Sequence, residues 1–213
     1  MKLRDLLKKL LRYPLTHRMR RRLKRRDFLL LSSACMGGAL LHDLGLPFET
    51  PTINLTVLEF DRFCSDVEGY LSRTPTETDR GDYPFPVAKL GDVTILCNHY
   101  KDFDEFLAAW QRRTERFFAR RSEGWEILLM ATDYQLREPG AKERFHALPY
   151  RKVCFSKQEC EYPEFIRVPE YGGRSRFADL VKVIDWQGHR VFEKAMDCVA
   201  FLNGDGEDAD RRR

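Results

Sequence analysis

This 213-residue chain has no run of about 18 apolar residues, so its sequence pattern excludes a spanning helix. It has no CxxC pair. Its six cysteines, Cys35, Cys64, Cys97, Cys154, Cys160 and Cys198, are scattered, which argues against a closed zinc site or a disulfide framework. Reduced thiols in a cytoplasmic protein are expected. Neither GxGxxG nor the P-loop pattern occurs, so no motif names a cofactor. The Asp-x-Asp pair of metal-dependent sugar-nucleotide transferases is missing from any strand end. Asp102-x-Asp104 reads as a helix start and Asp208-x-Asp210 lies in the terminal tail. The pair His42-Asp43 supplies too few ligands for a metal, and no metal site is expected.

Hydrophobic residues make up 43% of the chain and aromatics 12%, ordinary values that exclude disorder throughout. The net charge of +4 hides an asymmetry. Residues 1–26 hold twelve Lys and Arg against one acid, Asp5, so the remainder carries a net −7. An acidic body repels phosphate backbones, and no nucleic-acid partner is expected. In the leader, Leu3, Leu6, Leu7, Leu10 and Leu11 recur at helical spacing with Lys and Arg on the other face, and Pro14 is expected to end or kink that helix. Such a segment suits the anionic inner face of a membrane. Packing against the body is the competing reading. Phe28-Leu29-Leu30-Leu31 is too short for a signal-peptide core.

Three parts are expected: a basic amphipathic leader (1–26), one α/β domain (27–202) and a charged tail (203–213). Residues 28–33 and 125–131 read as buried strands, and residues 53–57 as an alternating one. Val87–Leu90 and Val93–Cys97 flank Gly91-Asp92, a hairpin turn signal. Helical spacing predicts helices over 39–44, 60–71, 102–121, 138–147 and 190–202, with short strands at 152–155 and 165–168. Alternating strands and helices point to a three-layer α/β/α domain whose mixed, mostly parallel sheet includes the β-hairpin.

Ligands of open α/β sheets gather beyond the carboxyl ends of the strands. Those ends carry Ser33 and Cys35, His99 and Tyr100, and Asp133. Cys35, His99 and Asp133 have the types of a nucleophile, a base and an orienting acid. Gly37-Gly38 before a helix would let amides approach an anion, although a tight turn alone also uses glycine. Asn54 inside an apolar stretch needs a partner, and a ligand is one way to supply it. Lys89 beside the turn is an anion ligand and Asp92 a base, unless both serve the hairpin only. Trp110 and Arg113 share a helix face, where core packing with an Arg–carboxylate pair is expected.

Several segments together resemble a known family. They are residues 28–38 (FLLLSSACMGG), 42–47 (HDLGLP), 50–55 (TPTINL), 86–93 (PVAKLGDV), His99-Tyr100, Trp110 with Arg113, and 148–155 (LPYRKVCF). In order, and across about residues 20–202, they look like the bacterial domain of unknown function 1919. Members of that family are often labelled exopolysaccharide biosynthesis proteins. The resemblance implies a three-layer α/β fold and a setting in cell-surface polysaccharide gene clusters; within that setting a transferase acting on a sugar or sugar-phosphate is expected, with a non-catalytic binding module as the alternative. It implies no established reaction. The family's first turn usually carries asparagines before the cysteine and often an aromatic after it. Here Ser33, Ala34 and Met36 stand there.

Overall fold

The structure, a computed structural model, describes residues 3–169, 180–182 and 185–205, with side chains from residue 10 onward. The Asp208-x-Asp210 pair falls outside them. Two four-stranded sheets organise the chain. The first is wholly parallel, in the order β1 (Phe28–Ser32), β6 (Glu126–Thr132), β7 (Arg151–Ser156), β8 (Phe165–Arg167). The second is antiparallel, in the order β2 (Thr56–Val57), β5 (Val93–Leu96), β4 (Val87–Leu90), β3 (Thr76–Thr78). The α/β class and the hairpin are as expected. The hairpin does not join the parallel sheet, however, because β5 pairs with β2 on its other edge and closes a sheet of its own.

Both faces of the parallel sheet are buried, which explains its unbroken apolar strands. Leu29, Leu31, Ile127, Leu129 and Ala131 point into one core. That core is completed by the antiparallel sheet with α3 (Phe60–Ser65), α4 (Val67–Leu71), α5 (Phe103–Ser122) and α6 (Ala141–Ala147). Phe28, Leu30, Leu128 and Met130 point into the other core. It is covered by α1 (Leu3–Arg22), α2 (Met36–Leu44), α7 (Val191–Ala195) and α8 (Cys198–Asn203). The layer across the parallel sheet from α1 and α2 is therefore an antiparallel sheet together with helices, where helices alone were expected.

The leader is not a segment apart. Met19 and Leu23 belong to the second core, and α1 runs through Pro14 without ending. Arg12, almost fully buried, reaches Asp43 at 2.5 Å and Glu193 at 2.8 Å and donates to the Gly188 carbonyl. Tertiary contacts on both sides of Pro14 offset the backbone bond that proline cannot make. The boundary expected after residue 26 is thus crossed by packing and ion pairs. Two expected helices are each split by a capping aspartate. Asp66 accepts from Gly69 N and restarts the chain as α4, and Asp197 accepts from Val199 N and Ala200 N and starts α8.

Candidate functional site

β1 ends at Ser32, and the chain turns through Ser33, Ala34 and Cys35 into α2, with Cys35 at the N-cap. The Ser33 amide donates to the Met130 carbonyl at 2.9 Å, and its own carbonyl accepts from Val57 N at 3.1 Å. Val57 lies in β2, which pairs with the last residues of β5. This ladder brings the carboxyl ends of β1 and β5 side by side. The chain leaving β5 turns at Cys97, whose carbonyl accepts from Tyr100 N, and Asn98 donates to Thr56 Oγ1 at 3.1 Å. His99 is thereby held over α2, with Nε2 3.3 Å from Cys35 Sγ. Cys35 is half-buried and His99 is exposed. Burial pushes the Cys35 thiol above its ordinary value, so the resting group is the neutral thiol.

Asn54 completes this corner. It is expected in a strand, but its φ is +63° and the strand begins only at Thr56. Asparagine tolerates this left-handed conformation better than most residues. Its side chain lies against the first turn of α2: a Cβ on Gly38 would come within 2.0 Å of Asn54 Oδ1. Gly37 is as tightly placed, since its Cβ would fall 2.5 Å from Ser32 Cβ, and its amide donates to Ser32 Oγ at 3.2 Å. The two glycines therefore serve close approach. Tyr100 is half-buried and its hydroxyl is raised above the ordinary value by burial, against the opposing charge of Arg113.

Ser33 and Asp133 occupy the same strand ends but do not touch His99. Ser33 Oγ donates to Gln135 Oε1 at 3.0 Å and accepts from Thr132 N at 3.1 Å. Asp133 Oδ2 accepts from Lys157 N at 2.8 Å and Ser156 Oγ at 3.3 Å, tying the end of β6 to that of β7. Cys35 and His99 thus form a pair, and Asp133 orients β7. Lys89 lies in β4 opposite Thr94 and Asp92 in the hairpin turn, about 7 and 13 Å of strand respectively from the carboxyl end of β5 at ~3.3 Å per residue. Lys89 Nζ donates to Thr94 Oγ1 at 2.7 Å. Asp92 accepts from the Tyr70 hydroxyl at 2.5 Å and from Arg62 at 3.4 Å, and the Tyr70 hydrogen bond holds its carboxyl below the usual range. These two residues serve the hairpin and its contact with α3 and α4.

Two residues of this region escape a sequence reading. Gln135, buried in the turn after β6, joins Ser33 and Thr132 through Oε1, while its Nε2 has no partner among the described residues. Its only signal is a glutamine soon after an apolar strand. Asn98 likewise has an orphaned, buried Oδ1. Buried polar atoms are ordinarily paired, so each of these two calls for a partner such as a water or a ligand.

Among the described residues no group of three or more His, Cys, Asp or Glu is placed to hold a metal ion. Asp43, the partner of His42, is taken up by Arg12 and Arg190. A mostly apolar cavity of about 220 Å³ opens at the opposite end of β1, lined by Phe28, Leu41, Glu49 and Trp125 among others, and includes none of the residues above. No helix among the described residues is long and apolar enough to cross a membrane.

Comparison with known proteins gives the chain its relatives. An uncharacterised protein of Haemophilus influenzae is 26% identical over 208 residues, covering 95% of this chain and 97% of that protein. The family model described as domain of unknown function (DUF1919) matches residues 6–203, a span that takes in most of α1 as well as the Cys35–His99 corner. The chain belongs to the DUF1919 family.

Proposed function

We propose that the protein is a thiol-dependent transferase that moves an acyl group onto a sugar or sugar-phosphate. The carrying observation is the 3.3 Å contact between Cys35 Sγ and His99 Nε2 at the carboxyl ends of β1 and β5. Cys35 Sγ attacks the donor carbonyl as its proton passes to His99 Nε2. The oxyanion meets first-turn amides of α2 other than that of Gly37, which donates to Ser32 Oγ, and the amide of Asn54. Collapse breaks the bond to the leaving group, which takes the proton from His99 and leaves a thioester on Cys35. His99 then removes the proton of an acceptor hydroxyl. That oxygen attacks the thioester, and the departing Cys35 thiolate recovers the proton. Thiols serve as nucleophiles through acyl-enzyme thioesters, whereas covalent glycosyl transfer uses a carboxylate, which favours acyl over glycosyl transfer. The sugar acceptor rests on the resemblance to proteins labelled for exopolysaccharide biosynthesis, a fold-level association.

The test is intact-protein mass after incubation with a panel of activated acyl thioesters. Wild type should gain one acyl mass, mapped to Cys35, and Cys35→Ala none. His99→Gln should slow the gain by about 10²–10⁴-fold. The competing reading is a binding or scaffolding module. Under it, folded Cys35→Ala and His99→Ala variants restore surface polysaccharide fully in a deletion strain, an outcome that would sink the enzyme.

A second observation supports a place at the cytoplasmic face of an anionic membrane. Leu10, Leu11, Tyr13 and Trp186 are all exposed, Trp186 by 79%. Leu10, Leu11, Pro14, Leu15, Arg18 and Trp186 line one shallow groove, next to Arg21 and Arg22. Apolar and aromatic side chains rimmed by arginine suit the bilayer interface. Wild type should sediment with vesicles containing anionic phosphatidylglycerol and be released by about 0.5 M salt. Trp186→Ser with Leu11→Ser should sediment less. Equal sedimentation with purely neutral vesicles argues against this location.

A further inference from the structure

Arg113 is a half-buried cation that pairs with no carboxylate among the described residues, contrary to the expectation for a core arginine. Its Nη1 donates to the Ile53 carbonyl at 3.0 Å, its guanidinium lies 5.6 Å from the centre of the Phe48 ring, and its charge acts on the Tyr100 hydroxyl. Ile53 precedes Asn54 and Tyr100 follows His99, so these contacts bring the guanidinium to the two chain segments that frame the Cys35–His99 pair. Burial disfavours its charge most, Tyr100 offsets part of that, and Arg112 and Arg116 both repel it. Arg116 is also turned inward, donating to the Phe48 carbonyl at 3.2 Å. A desolvated guanidinium with donors to spare and like charges beside it is stabilised by an anion.

We propose that Arg113, flanked by Asn54 and Tyr100, binds a phosphoryl group of the molecule that meets Cys35. The proposal rests on the reading of the Cys35–His99 corner as the reacting site and adds that the ligand is a phosphate ester or anhydride. Guanidinium donors match phosphate oxygens in pairs, while a lysine would present a point charge. The phosphoryl group belongs either to the donor's leaving group or to a sugar-phosphate acceptor, and the test separates the two.

The experiment measures alkylation of Cys35 in the full chain, mapped by peptide mass so that other thiols are counted apart. Two reagents of similar size are used, neutral iodoacetamide and anionic iodoacetate. Wild type should react with iodoacetate about tenfold faster than Arg113→Met does, the effect of one nearby charge, while iodoacetamide rates differ less than about twofold between the two proteins. Pyrophosphate should protect Cys35 saturably in wild type and not in Arg113→Met. Stronger protection by ADP than by glucose 1-phosphate assigns the phosphoryl group to the donor, and the reverse order assigns it to the acceptor. Unchanged iodoacetate rates together with unchanged pyrophosphate protection in Arg113→Met overturn the proposal. If Arg113→Met does not fold, wild type with Arg113→Lys decides. Saturable pyrophosphate protection that weakens at least fivefold in the lysine variant supports the site, and no protection of wild type refutes it. The His99→Gln variant keeps the two ideas distinct. An iodoacetamide rate unmoved by His99→Gln counts against the Cys35–His99 chemistry and leaves pyrophosphate protection through Arg113 standing.

Discussion

Gly37 and Gly38 sit side by side in the first turn of α2 and, apart from Ile53, face different neighbours. A methyl group on Gly38 would meet the end of the Asn54 side chain, which can rotate away. A methyl on Gly37 would meet Ser32 Cβ at 2.5 Å, an atom fixed directly to the backbone of β1. Alanine also restores helix propensity, a gain of about 0.5–1 kcal/mol over glycine. Gly38→Ala should therefore leave the urea midpoint nearly unchanged, while displacing Asn54 and slowing Cys35 acylation. Gly37→Ala should destabilise by about 1–3 kcal/mol through overpacking. Equal midpoints for the two variants would contradict this account. At this scale the contact was legible as types at strand ends: Cys35 and His99 meet, each after an apolar run, while Asn54 lies against Gly38 of the same turn. Lys89 and Asp92 looked equally suitable because a turn signal does not say which end of the hairpin faces the site. That Arg113 meets no carboxylate among the described residues was invisible, since a partner far along the chain leaves no local trace.

Among the elements, α1 changes most between sequence and structure. Its apolar and basic pattern suits a surface helix, but Arg12 is buried between Asp43 and Glu193, and Arg190 Nη2 shares Asp43 at 3.0 Å. Removing one member of a buried ionic group leaves the others uncompensated, at a cost of about 3–5 kcal/mol. Arg12→Met should lower stability by about that amount in a urea titration. Adding Glu193→Gln to Arg12→Met should recover part of the loss. A midpoint unchanged by Arg12→Met would mean that α1 is not docked as described. Unbroken apolar runs correctly indicated β1 and β6, buried on both faces, the turn signal indicated β4 and β5, and helical spacing indicated α5 with its one buried face. The apolar pattern missed the breaks at Asp66 and Asp197, where a side-chain cap competes with helix continuation. It also mistook Ile53–Leu55 for strand, because Asn54 turns there against α2 while Arg113 holds the Ile53 carbonyl.

For the whole molecule, the charge asymmetry is resolved by docking. Arg22 pairs with Asp197, and Arg25 reaches Glu126 at 2.7 Å, where Arg151 joins it at 2.5 Å. Burial alone would raise the Glu126 carboxyl, but Arg151 and Arg25 outweigh it and hold it below the usual range. The same balance, with Arg22 as partner, lowers Asp197. A carboxyl held low in the folded state adds stability above its unfolded value of about 4, which is lost as pH falls through the folded value. Melting temperature should thus fall below about pH 5, and Glu126→Gln should show a shallower acid fall than wild type. Solvent screening keeps each contribution modest, as both side chains are partly exposed.

The order of residues alone settled the α/β class, the hairpin and the apolar strands, because periodicity and turn chemistry act over a few neighbours. Tertiary structure decided that β5 would pair with β2 rather than join the parallel sheet, and that His99 would reach Cys35 across 64 positions of chain. It also placed Asp133 away from His99, left Arg113 without a carboxylate among the described residues and drew α1 into the core. Those outcomes depend on long-range pairing and on which charges are buried together, and neither is encoded in any single stretch of sequence.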